Sequence, residues 1–223
     1  MKRITYPGKI RVYEEKCEFL TFFSSLEETD VELYRAQEKE AMLKEGEEAG
    51  TYLYYLVEGK AKVFSTLPNG NRFLLDFLWK PCFIGELELL GVRSDTMAIQ
   101  AQTECYLLAV PLRKYREKLM QDACFLRHLS LFLAEKEEMR MQKLADMHAY
   151  SVPSRLAQFI LLVSSNGVYR ERNTDASAYL GISYRHLTQN LAELVKSGLL
   201  WKEDGGYRIA DVEGMRELAD GKK

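Results

Sequence analysis

The sequence predicts an α+β protein with a β-rich N-terminal half, a long helix, and a helical C-terminal part that ends in a β-hairpin. Three observations lead to this prediction: short apolar segments separated by turn residues at about 50–110, a stretch without Gly or Pro at 112–150, and three helix signals followed by a Gly-rich turn after residue 150. The 223 residues are enough for two small domains, each with its own core.

The first half has the spacing of a β-sandwich or barrel, with strands at intervals of roughly 8 to 12 residues. The segment 51–65 breaks at Glu58-Gly59, and Asn69-Gly70 is a strong hairpin signal because both central positions of a type I′ turn need positive φ. Further strands are predicted at 71–79, 97–102 and 105–110. We therefore expect a jelly-roll-like β-roll sensor domain over residues 1–111 that includes short N-terminal helices.

Residues 112–150 are rich in Leu, Glu, Lys, Met and Ala, which predicts a short helix followed by a long one. A heptad-like seam begins with three leucines and continues less cleanly through longer side chains: Leu126, Leu129 and Leu133, then Lys136, Arg140 and Met147. This seam predicts a helical linker and dimerisation helix. The alternative is a helix that packs on its own β-roll.

The C-terminal domain, 151–223, begins where Val152-Pro153-Ser154 interrupts the long helix. A helix over 154–165 with a Ser N-cap ends at Asn166-Gly167, and a second over about 174–180 ends at Gly181. Ser183 caps a third helix over 184–196, and segments 199–202 and 207–209 flank a turn at 203–206. Because helix, tight Gly turn and helix form a DNA-reading unit, this order predicts a winged helix-turn-helix.

The third helix of this domain separates into two faces. Four apolar residues follow helical spacing and are expected to face the core: Leu187, Leu191, Leu194 and Val195. Predicted DNA contacts come from the other face, the cap and the wing: Ser183, Tyr184, Arg185, His186, Thr188, Gln189 and Lys202. The Arg185 guanidinium can donate hydrogen bonds to guanine O6 and N7, and the Gln189 side-chain amide can pair with adenine. The alternative for this face is the solvated surface of a small helical bundle.

The distribution of charge along the chain favours a DNA-binding C-terminal domain more than the net charge of the whole chain does. The net charge is −2, but residues 151–223 carry ten basic and nine acidic side chains, hence +1. No Asp or Glu occurs between Ala176 and Ala192, although acidic residues are frequent elsewhere. A surface that avoids negative charge suits a polyanionic partner such as duplex DNA.

Other classes of protein lack their signals in this sequence. No apolar run approaches the roughly 20 residues that cross a bilayer, and no apolar region follows the basic N-terminus. The four scattered cysteines suit a reducing compartment, so we expect a cytoplasmic protein without a membrane partner. All three histidines lie outside the β-roll, and no phosphate loop or zinc spacing occurs. We therefore expect neither an enzyme nor a metal site.

At this point the chain resembles the CRP/FNR superfamily of bacterial transcription regulators, in particular its YeiL-type branch. The resemblance covers about residues 45–210. Its marks are Gly46-Glu47, LYYLVEGKAKV (53–63), CFIGELELL (82–90), VPSRLAQFILL (152–162) and YLGISYRHL (179–187). It implies a β-roll that senses a signal, a homodimer held by the long helix, and paired winged helices on an inverted-repeat operator, with RNA polymerase as a further partner.

The resemblance also locates an effector site, at Gly85, Glu86, Arg93, Asp95, Thr96 and Arg140. In cyclic-AMP-binding members an acid at Glu86 engages the ribose, and an Arg-Ser pair holds the phosphate. Here Asp95-Thr96 aligns with that pair, and Arg93-Ser94 lies two residues earlier. Members that recognise adenine use small hydroxyl residues on the long helix, where this chain has Arg140 and Met141. Because a carboxylate repels a phosphodiester, the sequence argues against cyclic AMP.

The identity of the signal stays open between a small molecule and a redox change. Iron–sulfur sensing needs closely spaced N-terminal cysteines, and Cys17 stands alone there. The sequence predicts no cofactor, but leaves an iron–sulfur cluster or haem open. The function predicted is a dimeric, sequence-specific DNA-binding regulator. The alternative is a regulatory module that binds no DNA and controls a protein partner.

Overall fold

The computed structural model of the chain describes residues 1–46, 51–66, 70, 72–79 and 81–221, which form two compact units, Met1–Lys136 and Glu137–Lys223. The strands of the first unit are β1 (Lys2–Ile4), β2 (Glu32–Ala36), β3 (Ala41–Leu43), β4 (Tyr52–Glu58), β5 (Ala61–Thr66), β6 (Arg72–Leu78), β7 (Cys82–Ile84), β8 (Ala98–Ala101) and β9 (Cys105–Pro111). Its helices are α1 (Pro7–Cys17), α2 (Glu86–Leu89), α3 (Leu112–Gln121) and the first half of α4 (Ala123–Ala149), with short 3₁₀ turns at Phe19–Phe22 and Glu28–Asp30.

The strands of the first unit form two antiparallel sheets that pack face to face. One has the order β1-β2-β9-β4-β7 and the other the order β3-β8-β5-β6. Side chains from both sheets share one core, as the alternation along β4 shows: Tyr54 and Leu56 point between the sheets. This arrangement is the jelly-roll β-roll that the strand spacing predicted.

The outer face of the larger sheet is covered by helices of the same unit. Leu53, Tyr55 and Val57, which alternate with the inner residues of β4, belong to a second core with the 3₁₀ turn 19–22, α3 and the start of α4. Leu126, Leu129 and Leu133 also pack there, and Leu129 is 1% exposed. These leucines, predicted as the start of a dimer seam, thus contact their own β-roll because their stripe matches its apolar outer face.

Asp122 fixes the start of α4. Its carboxylate accepts hydrogen bonds from the backbone N–H groups of Cys124 (3.0 Å) and Phe125 (3.1 Å), which caps the helix. It also accepts bonds from the backbone of Ser24 and from the hydroxyls of Ser24 and Ser25, at 2.6 to 2.8 Å. Although burial opposes ionisation, these bonds lower the pKa of Asp122 to about 2. The residue thus ties α4 to the N-terminal segment.

The second unit contains the rest of α4, then α5 (Val152–Val163), β10 (Val168–Tyr169), α6 (Asn173–Leu180), α7 (Tyr184–Lys196), β11 (Leu200–Glu203), β12 (Gly206–Ile209) and α8 (Val212–Ala219). Its strands form one antiparallel sheet in the order β10-β12-β11. Helices α5 and α8 pack on each other, and α7 contacts α5, α6 and β11. This is a winged helix-turn-helix, as the order of helix and turn signals predicted.

The observed elements correct several predictions. Helix α5 begins two residues earlier than expected and is capped by Ser151, whose hydroxyl accepts a bond from the N–H of Ser154. Pro153 lies in its first turn, where a missing N–H costs nothing. Strands β1, β2, β3, β7 and β10 and helices α2 and α8 were not predicted. Parts of three predicted features lie outside the described residues: Asn69 of the hairpin turn, Asn71 at the start of its second strand, and Glu47 of the Gly46-Glu47 pair.

The predicted domain limits coincide with ends of elements, since β9 ends at Pro111 and α5 begins at Val152. The two compact units, however, divide within α4, so that α3 and the first half of α4 pack with the β-roll. The assignment of residues 112–150 to a separate helical linker stays a prediction. None of the helices in the described ranges has both the length and the hydropathy of a bilayer-spanning segment.

Replacement of Asp122 by Ala tests the role of its carboxylate. We expect Asp122→Ala to lower the free energy of unfolding by about 3 kcal/mol, because a helix cap and several bonds to a buried charge are lost together. The measurement is urea unfolding followed by circular dichroism at pH 7. Ser130→Ala, which removes an exposed hydroxyl from the same helix, should change this free energy by less than about 0.5 kcal/mol.

The pH dependence gives a second arm of the same test. Because the folded-state pKa of Asp122 lies below its ordinary value of 3.8, its stabilisation is complete above that ordinary value. It is lost as the pH falls through the folded-state pKa near 2. The difference in stability between the wild type and Asp122→Ala should therefore shrink below pH 4, and a difference independent of pH would contradict this account.

Candidate DNA-binding surface and effector site

The direction of α7 is set by the turn that precedes it. Helix α6 ends at Gly181, whose φ of 66° lies in the left-handed region that glycine adopts without steric cost. The Ser183 hydroxyl then accepts a hydrogen bond from the backbone N–H of His186 at 3.1 Å and caps α7. A cap and a left-handed glycine thus define a short, rigid connection between the two helices.

One face of α7 belongs to the core of the winged helix. Leu187, Leu191 and Leu194 are at most 4% exposed, and Val195 is half-buried. Asn190 is also buried on this face, and its side-chain amide donates to the carbonyl oxygen of His186 at 2.8 Å. Rotation of α7 about its axis would expose three leucines, so the burial of this stripe fixes which face meets the solvent.

The other face of α7 brings the predicted DNA-contacting residues together. Five of them are exposed, and Thr188 is half-buried with its hydroxyl donating to the carbonyl oxygen of Arg185 at 2.9 Å. The exposed residues are Ser183, Tyr184, Arg185, His186 and Gln189. Tyr184 is 54% exposed, which leaves an aromatic ring beside an arginine, a histidine and an amide at the N-terminal end of the helix.

The wing is a hairpin of β11 and β12 joined by Asp204-Gly205, with Gly205 at φ 72°. The seventh predicted DNA-contacting residue, Lys202, lies on β11 of this wing. It is exposed and pairs with Tyr207 of β12. Arg208 forms an ion pair with Glu203 across the hairpin. The wing therefore presents Lys202 as an exposed cation, while its other basic residue is paired internally.

The predicted effector residues of the β-roll surround the start of α2. Gly85 has a φ of 92°, and a Cβ there would lie 3.0 Å from the carbonyl oxygen of Tyr52, so a side chain is doubly disfavoured. Glu86 follows and is 4% exposed. Its carboxylate accepts a hydrogen bond from Lys136 Nζ of α4 at 2.6 Å. The acid that the resemblance pairs with a ribose is thus bound to an ammonium group of this chain.

The other predicted effector residues make further contacts, and the backbone N–H of Arg93 donates to the carbonyl oxygen of Leu87 in α2 at 3.3 Å. Arg93 and Asp95 lie beside each other, with Nη2 and Oδ1 3.8 Å apart. Thr96 is buried and donates from its hydroxyl to the carbonyl oxygen of Lys44. Arg140 is an exposed residue of α4 in the second unit. Within the first unit, the charged contact at Glu86 comes from Lys136, which sequence reasoning had assigned to the dimer seam.

A signal for Lys136 was nevertheless present in the sequence. Lys136 follows Leu126, Leu129 and Leu133 on a stripe that packs on the β-roll, and a lysine near an apolar interface usually needs a carboxylate partner. Its ammonium also lies 5.5 Å from the centre of the Phe132 ring. A charged residue that interrupts an apolar stripe was therefore the sequence feature that could have identified Lys136 as the partner of a buried carboxylate.

The cysteines and histidines form no reactive cluster in the described part of the chain. Burial raises the pKa of Cys82 to about 12 and those of Cys17 and Cys105 to about 11, which makes these thiols poor nucleophiles at neutral pH. His128 packs against the Phe22 ring with the centroids 5.1 Å apart. Across the described ranges, no three His, Cys, Asp or Glu side chains are placed to hold a metal ion.

Comparisons with known proteins place this architecture in one class. The family model of the cyclic nucleotide-binding domain matches residues 34–122. A putative transcriptional regulator of the CRP/FNR family from Eubacterium rectale superimposes with a TM-score of 0.73 at 17% identity and covers 86% of this chain and 91% of that one. TTHB099, a CRP-family regulator from Thermus thermophilus, gives a TM-score of 0.67 at 21% identity, over 84% and 96% of the two chains. The fold is thus that of CRP/FNR regulators.

Sequence similarity extends this assignment to the family. The chain is 38% identical over 201 residues to the regulatory protein YeiL of Escherichia coli O157:H7, and the alignment covers 90% of each protein. It is 28% identical over 130 residues to the cAMP-activated global transcriptional regulator CRP of Escherichia coli O6:H1, covering 58% of this chain and 61% of that protein. The chain therefore belongs to the CRP/FNR family of transcription regulators.

Removal of Lys136 tests the buried ion pair at the candidate effector site. We expect Lys136→Met to lower the free energy of unfolding by about 2 to 3 kcal/mol, because the buried Glu86 carboxylate loses its counterion. The double variant Glu86→Gln/Lys136→Met should recover most of this loss. Urea unfolding at pH 7 measures both, with the exposed Lys118→Met as a control. A double variant less stable than Lys136→Met alone would contradict the pairing.

Proposed function

We propose that this chain is a dimeric, sequence-specific DNA-binding transcription regulator that reads its operator with α7 and responds to a signal through the β-roll. The observation that carries the proposal is the division of α7 into a buried leucine face and an exposed polar face. The exposed face holds side chains that hydrogen-bond to base edges, and the helix has the place of a recognition helix in a helix-turn-helix.

Charge and shape support an approach of duplex DNA to this face. Residues 176–192, which include the turn and most of α7, contain no carboxylate to repel phosphates. Arg185 offers the planar fork that matches guanine O6 and N7, and Gln189, four residues later, lies one turn along the same face. In this assignment Lys202 contacts a phosphate from the wing, and Ser183, Tyr184, His186 and Thr188 contact phosphates or bases.

The double variant Arg185→Ala/Gln189→Ala tests base reading. An operator is first selected from a random duplex pool with the wild-type protein, and binding is then measured by fluorescence anisotropy. Two base contacts of about 1 to 3 kcal/mol each predict at least a 30-fold loss of affinity for this operator, with little change for unrelated DNA. Arg216→Ala, which removes an exposed arginine of α8, should change neither affinity. Unaltered operator preference in the double variant would refute the assignment.

Dimerisation is proposed through a different stripe of α4 from the one predicted. Leu126, Leu129 and Leu133 pack within the protomer, which favours a seam on the exposed side of the helix. Positions with alternating spacing of three and four residues are exposed there: Leu131, Ala134, Glu138, Met141, Ala145 and His148. Leu131 and Met141 are 54% and 51% exposed, so this stripe offers two large apolar side chains to a second subunit.

Charge introduced into this stripe tests the dimer. The variant Leu131→Glu/Met141→Glu should be monomeric in sedimentation-velocity ultracentrifugation at micromolar concentration, because two buried carboxylates would face their copies. Its operator affinity should fall about 100-fold or more, since linked binding to two half-sites is lost. Leu162→Glu, which charges an exposed leucine of α5, should remain dimeric. A dimeric double variant would show that the subunits associate elsewhere.

For the signal, the contacts at the start of α2 support a ligand other than a cyclic nucleotide. Glu86 is already bound by Lys136, and Asp95 replaces the residue type that would meet a phosphate. Glu88 is buried nearby, and burial raises the pKa of its carboxyl group. The charge of Glu86 also contributes to this rise, so the surroundings of Glu88 disfavour a further negative charge such as a phosphodiester. A ligand here must instead satisfy or displace the Glu86–Lys136 pair.

A further inference from the structure

The end of α4 packs against the winged helix of the same unit along one stripe. Lys143, Met147 and Tyr150 have spacings of four and three residues, which place side chains on one face of a helix. Lys143 and Tyr150 are half-buried, while most neighbouring residues of α4 are exposed. A Cβ at Gly221 would lie 3.3 Å from the Tyr150 ring, so this tyrosine packs beside the end of α8. The stripe is therefore the inner side of α4 in this unit.

Two residues of the stripe contact the helix-turn-helix itself. The ammonium group of Lys143 lies 3.4 Å from the centre of the Tyr179 ring in α6. A cation at this distance is attracted by the negative face of the aromatic ring. One turn later, Met147 covers the turn between α6 and α7, because a Cβ at Gly181 would lie 3.3 Å from its terminal methyl carbon. The direction of α6 is thus linked to α4 at two points.

Helix α5 holds the same end of α6 from another side. The Tyr179 ring packs on Phe159 with the centroids 5.0 Å apart, and Phe159 is 2% exposed. The Arg155 guanidinium donates from Nη1 to the carbonyl oxygen of Leu180 at 2.9 Å. Because closely packed side chains transmit a displacement instead of absorbing it, a change in the contact between Lys143 and Tyr179 would move α6 as a body.

The opposite side of α4 carries the stripe proposed for dimerisation. Lys143 lies two positions from Met141 and two from Ala145, which corresponds to about 200° around an α-helix in either direction. Met141 and Ala145 are exposed, whereas Lys143 is half-buried against Tyr179. In the proposed dimer, this part of α4 therefore lies between the second subunit and its own helix-turn-helix.

An inverted repeat requires a fixed distance and angle between the two recognition helices. One added base pair moves a half-site by about 3.4 Å along the duplex and turns it by about 35°. A dimer can bind both half-sites only when its two copies of α7 match that separation. The angle between α4 and α6, which α7 follows through a short turn, determines the separation.

We propose that Lys143 is a positioning residue whose contact with Tyr179 sets the spacing of the half-sites that the dimer accepts. The inference rests on the proposed function, because it concerns a dimer that reads two half-sites with α7. Lys143 acts without contacting a base. Arg185 and Gln189 select the sequence of each half-site, and Lys143 selects the distance between the half-sites.

Fluorescence anisotropy with the full-length protein on three duplexes tests the proposal. They are the inverted repeat that the wild type selects from a random pool, the same repeat with one base pair added between its halves, and a single half-site. We expect the wild type to bind the selected repeat about tenfold or more tightly than the lengthened one. In Lys143→Met this ratio should fall to about threefold or less, with affinity for the single half-site within about twofold of the wild type.

Further variants separate positioning from stability and from charge. Lys143→Arg keeps a cation that stacks on an aromatic ring and should restore the spacing preference. Tyr179→Leu should lose this preference as Lys143→Met does, and the two changes together should cause no further loss, because they remove the same contact. Arg140→Met, which removes an exposed cation one turn earlier on α4, should keep the preference of the wild type.

The outcomes distinguish this inference from the proposed function. A Lys143→Met protein with the spacing preference of the wild type, or a Lys143→Arg protein that lacks it, would overturn the inference alone. An equal loss of affinity for all three duplexes in Lys143→Met would indicate a general defect of the domain and would also overturn it. A wild type that selects no operator would refute the proposed function and this inference with it.

Discussion

The burial of three leucines on α7 is the constraint on which the proposed function depends. Leu187, Leu191 and Leu194 fix the rotation of the helix about its axis, because each contributes roughly 1.5 to 3 kcal/mol when removed from water. Ser183 and Gly181 set where the helix begins and how it leaves α6. With rotation and direction both fixed, the side chains on the opposite face of the first two turns point to the solvent, where a nucleic acid can reach them.

Most of this arrangement was predictable because it rests on local signals. Caps, glycine turns and 3.6-residue periodicity identified α6, α7 and the wing within one or two residues. The β-roll was identified from the strands around Glu58-Gly59 and from β8 and β9. By contrast, β1, β2, β3, β7 and β10 were not predicted, because their stability comes from pairing with strands distant in the sequence, such as β2 with β9.

Contacts between residues far apart in the sequence could be identified only from the structure. Periodicity placed Leu126, Leu129 and Leu133 on one stripe of α4 but could not show whether another subunit or the β-roll covers it. The pairing of Lys136 with Glu86 joins residues fifty positions apart in the sequence. Such features define the candidate effector site, which is therefore less predictable from sequence than the fold.

The most direct test of the central claim is site-specific photocrosslinking of the protein to duplex DNA that carries an inverted repeat. A benzophenone-bearing amino acid in place of Gln189 should crosslink to bases in both half-sites, with crosslinks separated by about 10 base pairs, one turn of the duplex. The same residue in place of Leu162 should give none. Efficient crosslinking from position 162 with none from position 189, in a protein that still binds the duplex, would contradict the account.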